Sequence, residues 1–170
     1  MKITLQYIAG FFDGEGCIGI YSKAYRKGTF HLSTQLTQNK TKESKLLMNF
    51  LAKKFGGNIS EQITLSKDIK YNWQLGSDNA VNFLEAILPY LILKKSQAII
   101  AINWQKDRPK RIRDKKGRFY VKRKRNIEFD KKVSKLVKLL KKKDIDWVME
   151  QQKDLVKILV ELTPLAVIKA

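Results

Sequence analysis

The fold of this chain is decided by residues 7–16, Tyr7-Ile8-Ala9-Gly10-Phe11-Phe12-Asp13-Gly14-Glu15-Gly16. Ile8, Phe11 and Phe12 recur at helical spacing, which predicts a helix with one apolar face. Gly10 and Gly14 remove side-chain bulk from that helix, although each glycine destabilises a helix by about 1 kcal/mol relative to alanine. We therefore expect the glycines to permit close packing against another backbone.

Two carboxylates, Asp13 and Glu15, stand where this helix ends. The C-terminal end of a helix carries partial negative charge, so acidic side chains are disfavoured there. Together with bare backbone carbonyls, the two acids could form a site for a hard divalent cation such as Mg²⁺, which prefers oxygen ligands. The alternative is an ordinary helix end with left-handed glycines and solvated acids.

The composition indicates a polyanionic partner. The 170 residues include 35 Lys and Arg against 16 Asp and Glu, a formal net charge of +19, which is more than solubility requires. Nucleic acid is the first candidate for this partner, and an anionic membrane surface is the second. One cysteine, Cys17, excludes an internal disulfide, and the single His31 argues against histidine acid–base catalysis.

The sequence also bears on where the protein works. No apolar run is long enough to span a bilayer, and the N-terminus lacks the layout of a signal peptide. We expect an intracellular protein that is not secreted, has no membrane partner and uses no small-molecule cofactor.

Hydrophobic periodicity predicts an ordered series of helices and strands over the first 105 residues. After the first helix, strands are expected at residues 17–23, 29–38, 58–65 and 70–75, and helices at residues 42–55, 78–88 and 91–105. Thr41 and Ser77 are expected to cap the second and third helices. This order predicts an α+β fold, in which a four-stranded antiparallel sheet carries helices on one face only.

The other face of the predicted sheet is dominated by uncharged hydrogen-bonding side chains. Such side chains suit the reading of base edges, and a β-ribbon fits the major groove of DNA. The alternative is a solvated sheet face with no ligand. The residues expected to contact DNA from this face and from the basic turn beside it are Tyr21, Lys23, Arg26, Thr29, His31, Ser33, Gln35, Asn58, Ser60, Gln62, Thr64, Lys70, Asn72 and Gln74.

Residues 108–125 are the most basic segment of the chain. Eleven of these 18 residues are Lys or Arg, against the single acid Asp114. A segment this basic is either a solvated linker or a phosphate-binding loop, and in both cases we expect it to touch DNA. The residues expected to do so are Arg108, Lys110, Arg111, Arg113, Lys115, Lys116 and Arg118.

We expect residues 1–170 to form a single domain. Its core would lie at about residues 1–107, followed by the basic loop at 108–125 and a C-terminal helical extension at 126–170. In that extension, Asp144 is expected to cap a final helix that runs through Leu159.

Residues 8–16 match all nine positions of the signature of the LAGLIDADG homing endonucleases, with Glu15 where Asp is commoner. This resemblance implies an αββαββα fold, and the predicted order of elements is similar to it over about residues 5–105. Family members with one signature are symmetric homodimers, and only one signature is present here. The resemblance therefore implies a homodimer whose signature helices pack together through Ile8, Ala9, Gly10, Phe11 and Asp13.

The activity implied by the resemblance is intron homing by cleavage of double-stranded DNA. Divalent metal would support hydrolysis at a long pseudo-palindromic site and leave short 3′ overhangs. Glu15 and the carbonyl of Gly14 would bind Mg²⁺, for which Mn²⁺ or Ca²⁺ can substitute, with Asp13 beside them in a supporting role. Gln38 matches a family glutamine that positions solvent.

A family lysine also reaches the active site from the later helix. The position aligned with it is Ser96, so the resemblance leaves Lys94 or Lys95 to serve as the catalytic lysine.

Two further functions stay open. Relatives of this fold act as RNA-splicing maturases, and the same basic surface would suit binding of DNA or structured RNA without catalysis. An unrelated basic ribosome-associated protein is the third possibility, and it predicts no dimer.

Overall fold

The computed structural model describes residues 3–22, 28–109, 111–113, 116, 119–121 and 126–162, with residues 111–113 and 119–121 described by their backbone alone. Within these ranges the helices are α1 (Leu5–Glu15), α2 (Lys42–Phe55), α3 (Ser77–Ile87), α4 (Lys95–Lys106), α5 (Ile127–Leu139), α6 (Ile145–Gln151) and α7 (Lys153–Leu162). The strands are β1 (Gly16–Ser22), β2 (Phe30–Asn39), β3 (Asn58–Ile63), β4 (Ile69–Gly76), β5 (Arg111–Arg113) and β6 (Phe119–Val121).

The predicted four-stranded antiparallel sheet is confirmed. Its strand order is β1-β2-β4-β3, and every neighbouring pair is antiparallel. Strands β5 and β6 form a separate two-stranded ribbon inside the basic segment.

A continuous apolar core lies between the sheet and the helices. Phe83 of α3 is fully buried at its centre. Its ring makes edge-to-face contacts with the rings of Phe12, Phe55 and Trp73, at centroid distances of 5.1, 5.1 and 5.0 Å. These contacts join α1, α2 and β4 to α3, so the position of α1 is fixed by the core rather than by local sequence.

The C-terminal helices pack on the same core. Val133 of α5 and Leu155 of α7 are fully buried within it. Trp104 of α4 donates from Nε1 to Oδ1 of the buried Asp130 at 2.7 Å. This bond satisfies polar groups of both residues and ties α5 to the helical layer.

Three helix ends depart from the sequence prediction, and two predicted caps are confirmed. The side chains of Thr41 and Asp144 accept the expected backbone hydrogen bonds. Ser77 is the first residue of α3 instead of its cap, since Gly76 occupies the cap position. Helix α4 begins at Lys95, not at residue 91, and the single predicted C-terminal helix is two helices, because Gln152 between them is not helical.

In the described part of the chain, no helix combines the length and apolar character needed to cross a membrane.

Candidate active site and nucleic-acid interface

Asp13 connects the end of α1 to the start of α4. Its side chain is buried, and its two carboxylate oxygens accept three backbone hydrogen bonds. Oδ2 accepts from the N–H groups of Ile92 and Leu93 at 2.7 and 3.2 Å, and Oδ1 accepts from the N–H of Lys94 at 2.9 Å. The acid that is poorly placed on its own helix therefore neutralises the positive end of another helix. These bonds also explain why α4 begins only at Lys95.

Lys94 is the lysine that reaches the end of α1. Its Nζ donates a hydrogen bond to the main-chain oxygen of Asp13. Partial burial lowers the pKa of Lys94 from its usual value, while the charges of Asp13, Cys17 and Glu15 oppose that shift. Lys95 is exposed on α4. Of the two lysines left open by the sequence, the structure brings Lys94 to the acids.

Glu15 is the last residue of α1 and is exposed. Within the described residues its carboxylate makes no hydrogen bond or salt bridge, unlike that of Asp13. The carbonyl of Gly14 lies in the final turn, where backbone oxygens lack a partner in the helix. An accessible carboxylate and a bare carbonyl are the donor set of a hard divalent cation, so these residues fit Mg²⁺.

Gln38 lies at the end of the sheet where α1 leads into β1. The β1–β2 register pairs Gly16 with Leu36, so Gln38 is two residues beyond the start of β1. It is partly exposed and lies on the same face of β2 as Leu36. Its predicted role in positioning solvent stays a prediction.

The exposed side of α1 is narrow. A Cβ atom added to Gly10 or Gly14 would meet nothing within 4 Å, so packing inside the protomer does not require either glycine. Both residues are exposed, and Phe11 beside them is partly exposed. Gly10, Phe11 and Gly14 therefore form an exposed strip of α1 that is accessible to a second protomer.

The same helix corrects part of the predicted dimer interface. Ile8 and Ala9 are buried in the core of their own protomer, at 1% and 0% exposure. The carboxylate of Asp13 already accepts hydrogen bonds from the turn before α4. These three side chains are therefore not available to a partner, because they are already packed or hydrogen-bonded within their own protomer. Of the predicted contacts, Gly10 and Phe11 keep exposed surface.

The strand registers place the predicted polar side chains on one face of the sheet. The pairs Tyr21–His31, Gln35–Gln74, Ser60–Asn72, Asn58–Gln74 and Gln62–Lys70 lie opposite each other on neighbouring strands. Thr29 and Thr64 fall just outside β2 and β3.

Two members of the polar face are buried, contrary to the prediction that the whole set is exposed. Ser33 and Asn72 have 1% and 4% exposure. Gln74 donates to the hydroxyl of Ser33 at 2.9 Å, and Thr37 donates to Oδ1 of Asn72 at 3.1 Å. They lie on central strands, where neighbouring side chains cover them, and they orient those neighbours.

Lys141, Cys17 and Tyr21 lie together near the site, although nothing in the sequence indicates that they are neighbours. Nζ of Lys141, after α5, lies 3.0 Å from Sγ of Cys17 at the start of β1. The ring of Tyr21 covers Gly19, where a Cβ would approach within 2.2 Å of it, and the Tyr21 hydroxyl lies 3.6 Å from Sγ of Cys17. Burial, together with the thiol of Cys17, raises the pKa of Tyr21 to about 12. The sequence shows that the segment around Lys141 is rich in lysine, but it does not show that Cys17, 124 positions earlier, lies beside Lys141.

Several predicted DNA contacts fall outside what is described. Lys23, Arg26, Lys110, Lys115 and Arg118 lie outside the described residues, as do the side chains of Arg111 and Arg113. Lys116 is exposed in the turn between β5 and β6. Arg108 stacks over the ring of Trp104 at 4.9 Å, and its Nη1 donates a hydrogen bond to Oε1 of Gln105 at 2.9 Å.

Comparison with known proteins gives a family match and several structural matches. The model of a family described as "LAGLIDADG endonuclease" matches residues 8–106. The fold is similar to the crystal structure of the homing endonuclease I-CvuI in complex with its target, with 19% identity, 89% of this chain and 94% of that chain covered, and a TM-score of 0.60. A second I-CvuI structure, with uncleaved DNA and Mg, gives 20% identity, the same coverages and a TM-score of 0.59.

A third structure is more distant. The archaeal intron-encoded homing endonuclease I-Vdi141I, complexed with DNA, is 18% identical over 93% of this chain and 80% of that chain, with a TM-score of 0.44. No curated protein sequence matches this chain.

Proposed function

The chain belongs to the LAGLIDADG endonuclease family, since the family model covers more than half of it, and we propose that it is a homodimeric DNA endonuclease. It would hydrolyse both strands with a divalent metal, Mg²⁺ by preference, at a long pseudo-palindromic site. The products would carry short 3′ overhangs.

The observation that carries this proposal is the contrast between the two acids of α1. Asp13 is buried and bonded to the turn before α4, whereas Glu15 is exposed beside it without a partner in the described residues. An unpaired carboxylate at the negative end of a helix is unfavourable for the protomer alone. A cation held by Glu15 and the Gly14 carbonyl would remove that penalty.

Each residue of the site would then have a distinct task. A bound divalent metal would stabilise charge on the attacking and leaving oxygens of a phosphodiester. Glu15 would hold that metal, and Lys94 would bring positive charge to the scissile phosphate. Asp13 would fix Lys94 by holding the turn that carries it, which makes Asp13 a positioning residue.

Homodimerisation is supported by the exposed strip of Gly10, Phe11 and Gly14. Two glycines that have no packing role in the protomer would let a second α1 approach closely, as small residues do at helix interfaces. Pairing α1 with its symmetry mate would bring two Glu15 carboxylates together. Each would serve one DNA strand, which accounts for cleavage of both.

The polar sheet face supports DNA as the substrate. Gln35, Asn58, Ser60, Gln62 and Gln74 offer amide and hydroxyl groups on one face of the sheet. Amide side chains pair with adenine edges, and hydroxyl groups can hydrogen-bond to more than one base. This face would therefore recognise the DNA sequence, while the lysines bind phosphate.

Cleavage of a randomised duplex library in Mg²⁺, followed by sequencing of the ends, tests the proposal. We expect a single long, nearly symmetric consensus with short 3′ overhangs. The Glu15→Gln variant should bind the recovered duplex with nearly unchanged affinity and should not cut it. Cutting by that variant would refute the assignment of Glu15.

The alternative function has its own outcome in the same assay. A wild-type protein that binds duplex DNA tightly but leaves it intact in Mg²⁺ would favour a non-catalytic binder or a maturase. A protein that stays monomeric on DNA in light scattering would refute the homodimer.

A further inference from the structure

Helix α5 and the turn after it carry a regular row of lysines. Lys131, Lys135, Lys138 and Lys142, called here the lysine row, follow the spacing of one helix face. All four are exposed. They line a cleft of about 630 Å³ together with Phe30 at the start of β2 and Ser134 of α5. The row therefore faces a groove beside the β1–β2 hairpin.

The lysine row does not stabilise the protomer. Like charges at helical spacings of three and four destabilise a helix by about 0.2–0.5 kcal/mol per pair. Glu128 lies 3.6 Å from Lys131 and Asp154 lies 3.7 Å from Lys135, and both pairs are exposed. Exposed pairs contribute about 0–1 kcal/mol each, so four aligned lysines remain in electrostatic excess.

The position of the row is fixed relative to the candidate active site. Ser134 donates its hydroxyl to the main-chain oxygen of Ile20 at 2.6 Å, which ties α5 to β1. A second cleft, of about 510 Å³, shares Lys141 and Lys142 with the first cleft and reaches Cys17 and Lys94. The two clefts form one lysine-lined path from the end of α1 along α5.

The end of that path nearest the acids holds a further polar group. Gln97 of α4 lines the second cleft and has 2% exposure, and its Oε1 has no hydrogen-bond partner among the described residues. A buried acceptor of this kind gains from an ordered water or ligand in the cleft. The end of the path nearest the acids is therefore suited to holding ordered water beside its lysines.

We propose that the lysine row binds the sugar–phosphate backbone of the DNA flanking the cleavage site, as a second phosphate track outside the sheet. This proposal rests on the proposed function and extends the expected DNA contact to α5. From Lys131 to Lys138 the helix rises about 10 Å, which matches about three phosphates of one strand along the duplex axis. The track binds phosphates and carries no base specificity.

The test is the triple variant Lys131→Gln, Lys135→Gln and Lys138→Gln in the Glu15→Gln background, which prevents cleavage. The probe is the duplex recovered from the library, and its Kd is measured between about 50 and 200 mM salt. Because the proposed homodimer carries two copies of the row, the variant loses six phosphate contacts, which should reduce the salt slope of log Kd by about 5.4. Raising the salt fourfold should then weaken binding by a factor about 1,800-fold smaller than in the parent protein.

A matched control removes the same charge from other exposed helical positions. The triple variant Lys53→Gln, Lys54→Gln and Lys157→Gln changes lysines of α2 and α7 that lie away from both clefts. Its salt slope should stay within experimental error of the parent. An equal loss of slope in both triple variants would mean a general effect of net charge and would overturn the proposal.

Shortening the duplex separates contact with the flank from indirect effects. Removing the flanking base pairs should weaken the parent to the level of the lysine-row variant, and it should not weaken that variant further. An unchanged slope in the variant would overturn the phosphate track. So would selective loss of structured-RNA binding with DNA binding intact. Failure of the parent to bind any duplex would instead refute the proposed function.

Discussion

Asp13 is predicted to stabilise the fold, whereas Glu15 two residues later is predicted to serve chemistry alone. The perturbation is Asp13→Asn, which keeps the size of the side chain and removes one acceptor oxygen and the charge. In the structure that carboxylate accepts three backbone N–H groups at the turn before α4. An amide can accept at one oxygen only, so its NH₂ group would face at least one of those donors.

The magnitude follows from the three bonds. One partly buried N–H left without an acceptor costs about 2 kcal/mol, and two bonds that change from charge-assisted to neutral lose about 1 kcal/mol each. We therefore expect Asp13→Asn to lower the free energy of unfolding by about 4 kcal/mol. For a chain of this length that corresponds to a fall in Tm of about 8–16 °C.

Thermal denaturation followed by circular dichroism, with urea titration for the free energy, measures this effect. Glu15→Gln is the first control, because its exposed side chain should change stability by no more than about 0.5 kcal/mol. Asp146→Asn, the same chemical change at an exposed residue of α6, is the second. The reasoning is refuted if Asp13→Asn is as stable as the wild type, or if Glu15→Gln loses as much.

Three further predictions concern catalysis, assembly and packing. Lys94→Met should lower the rate of DNA cleavage in a single-turnover assay by about 100-fold. The rate of Lys95→Met should stay within threefold of the wild type (about 0.6 kcal/mol), and equal losses in the two variants would reject the choice of Lys94. Gly10→Leu should give a folded protein that is monomeric by light scattering, since the added side chain meets nothing in its own protomer; a stable dimer would place the interface elsewhere. Phe83→Ala should cost about 3–5 kcal/mol in urea unfolding, because three aromatic contacts are lost; a loss below about 1 kcal/mol would contradict the central position of Phe83.

The architecture was predictable because it depends on local periodicity. Alternation from Phe30 to Leu36 and the cap at Thr41 are short-range signals, and both elements form within one or two residues of where they were expected. The start of α4 was not predictable, because it is set by Asp13, some 80 positions earlier in the chain. Ser77 likewise has the chemistry of a cap but not the backbone position for it.

The candidate site was partly predictable. The signature pointed to Glu15, Gly14 and Asp13 together, but it could not show that Asp13 is buried and Glu15 exposed. The polar face followed from strand parity, yet the burial of Ser33 and Asn72 depends on which strands are central.

By itself the sequence determined the element order of the first 105 residues, the polar and apolar faces of the strands, the excess positive charge and the family signature, because each of these is encoded in neighbouring residues or in composition. Only the tertiary structure decided that Lys94 rather than Lys95 reaches the acids, that Ile8 and Ala9 face inward, and that Lys141 lies beside Cys17. These facts depend on how distant elements pack on one core, and the free energy of that packing is shared among many residues instead of being written in any single stretch.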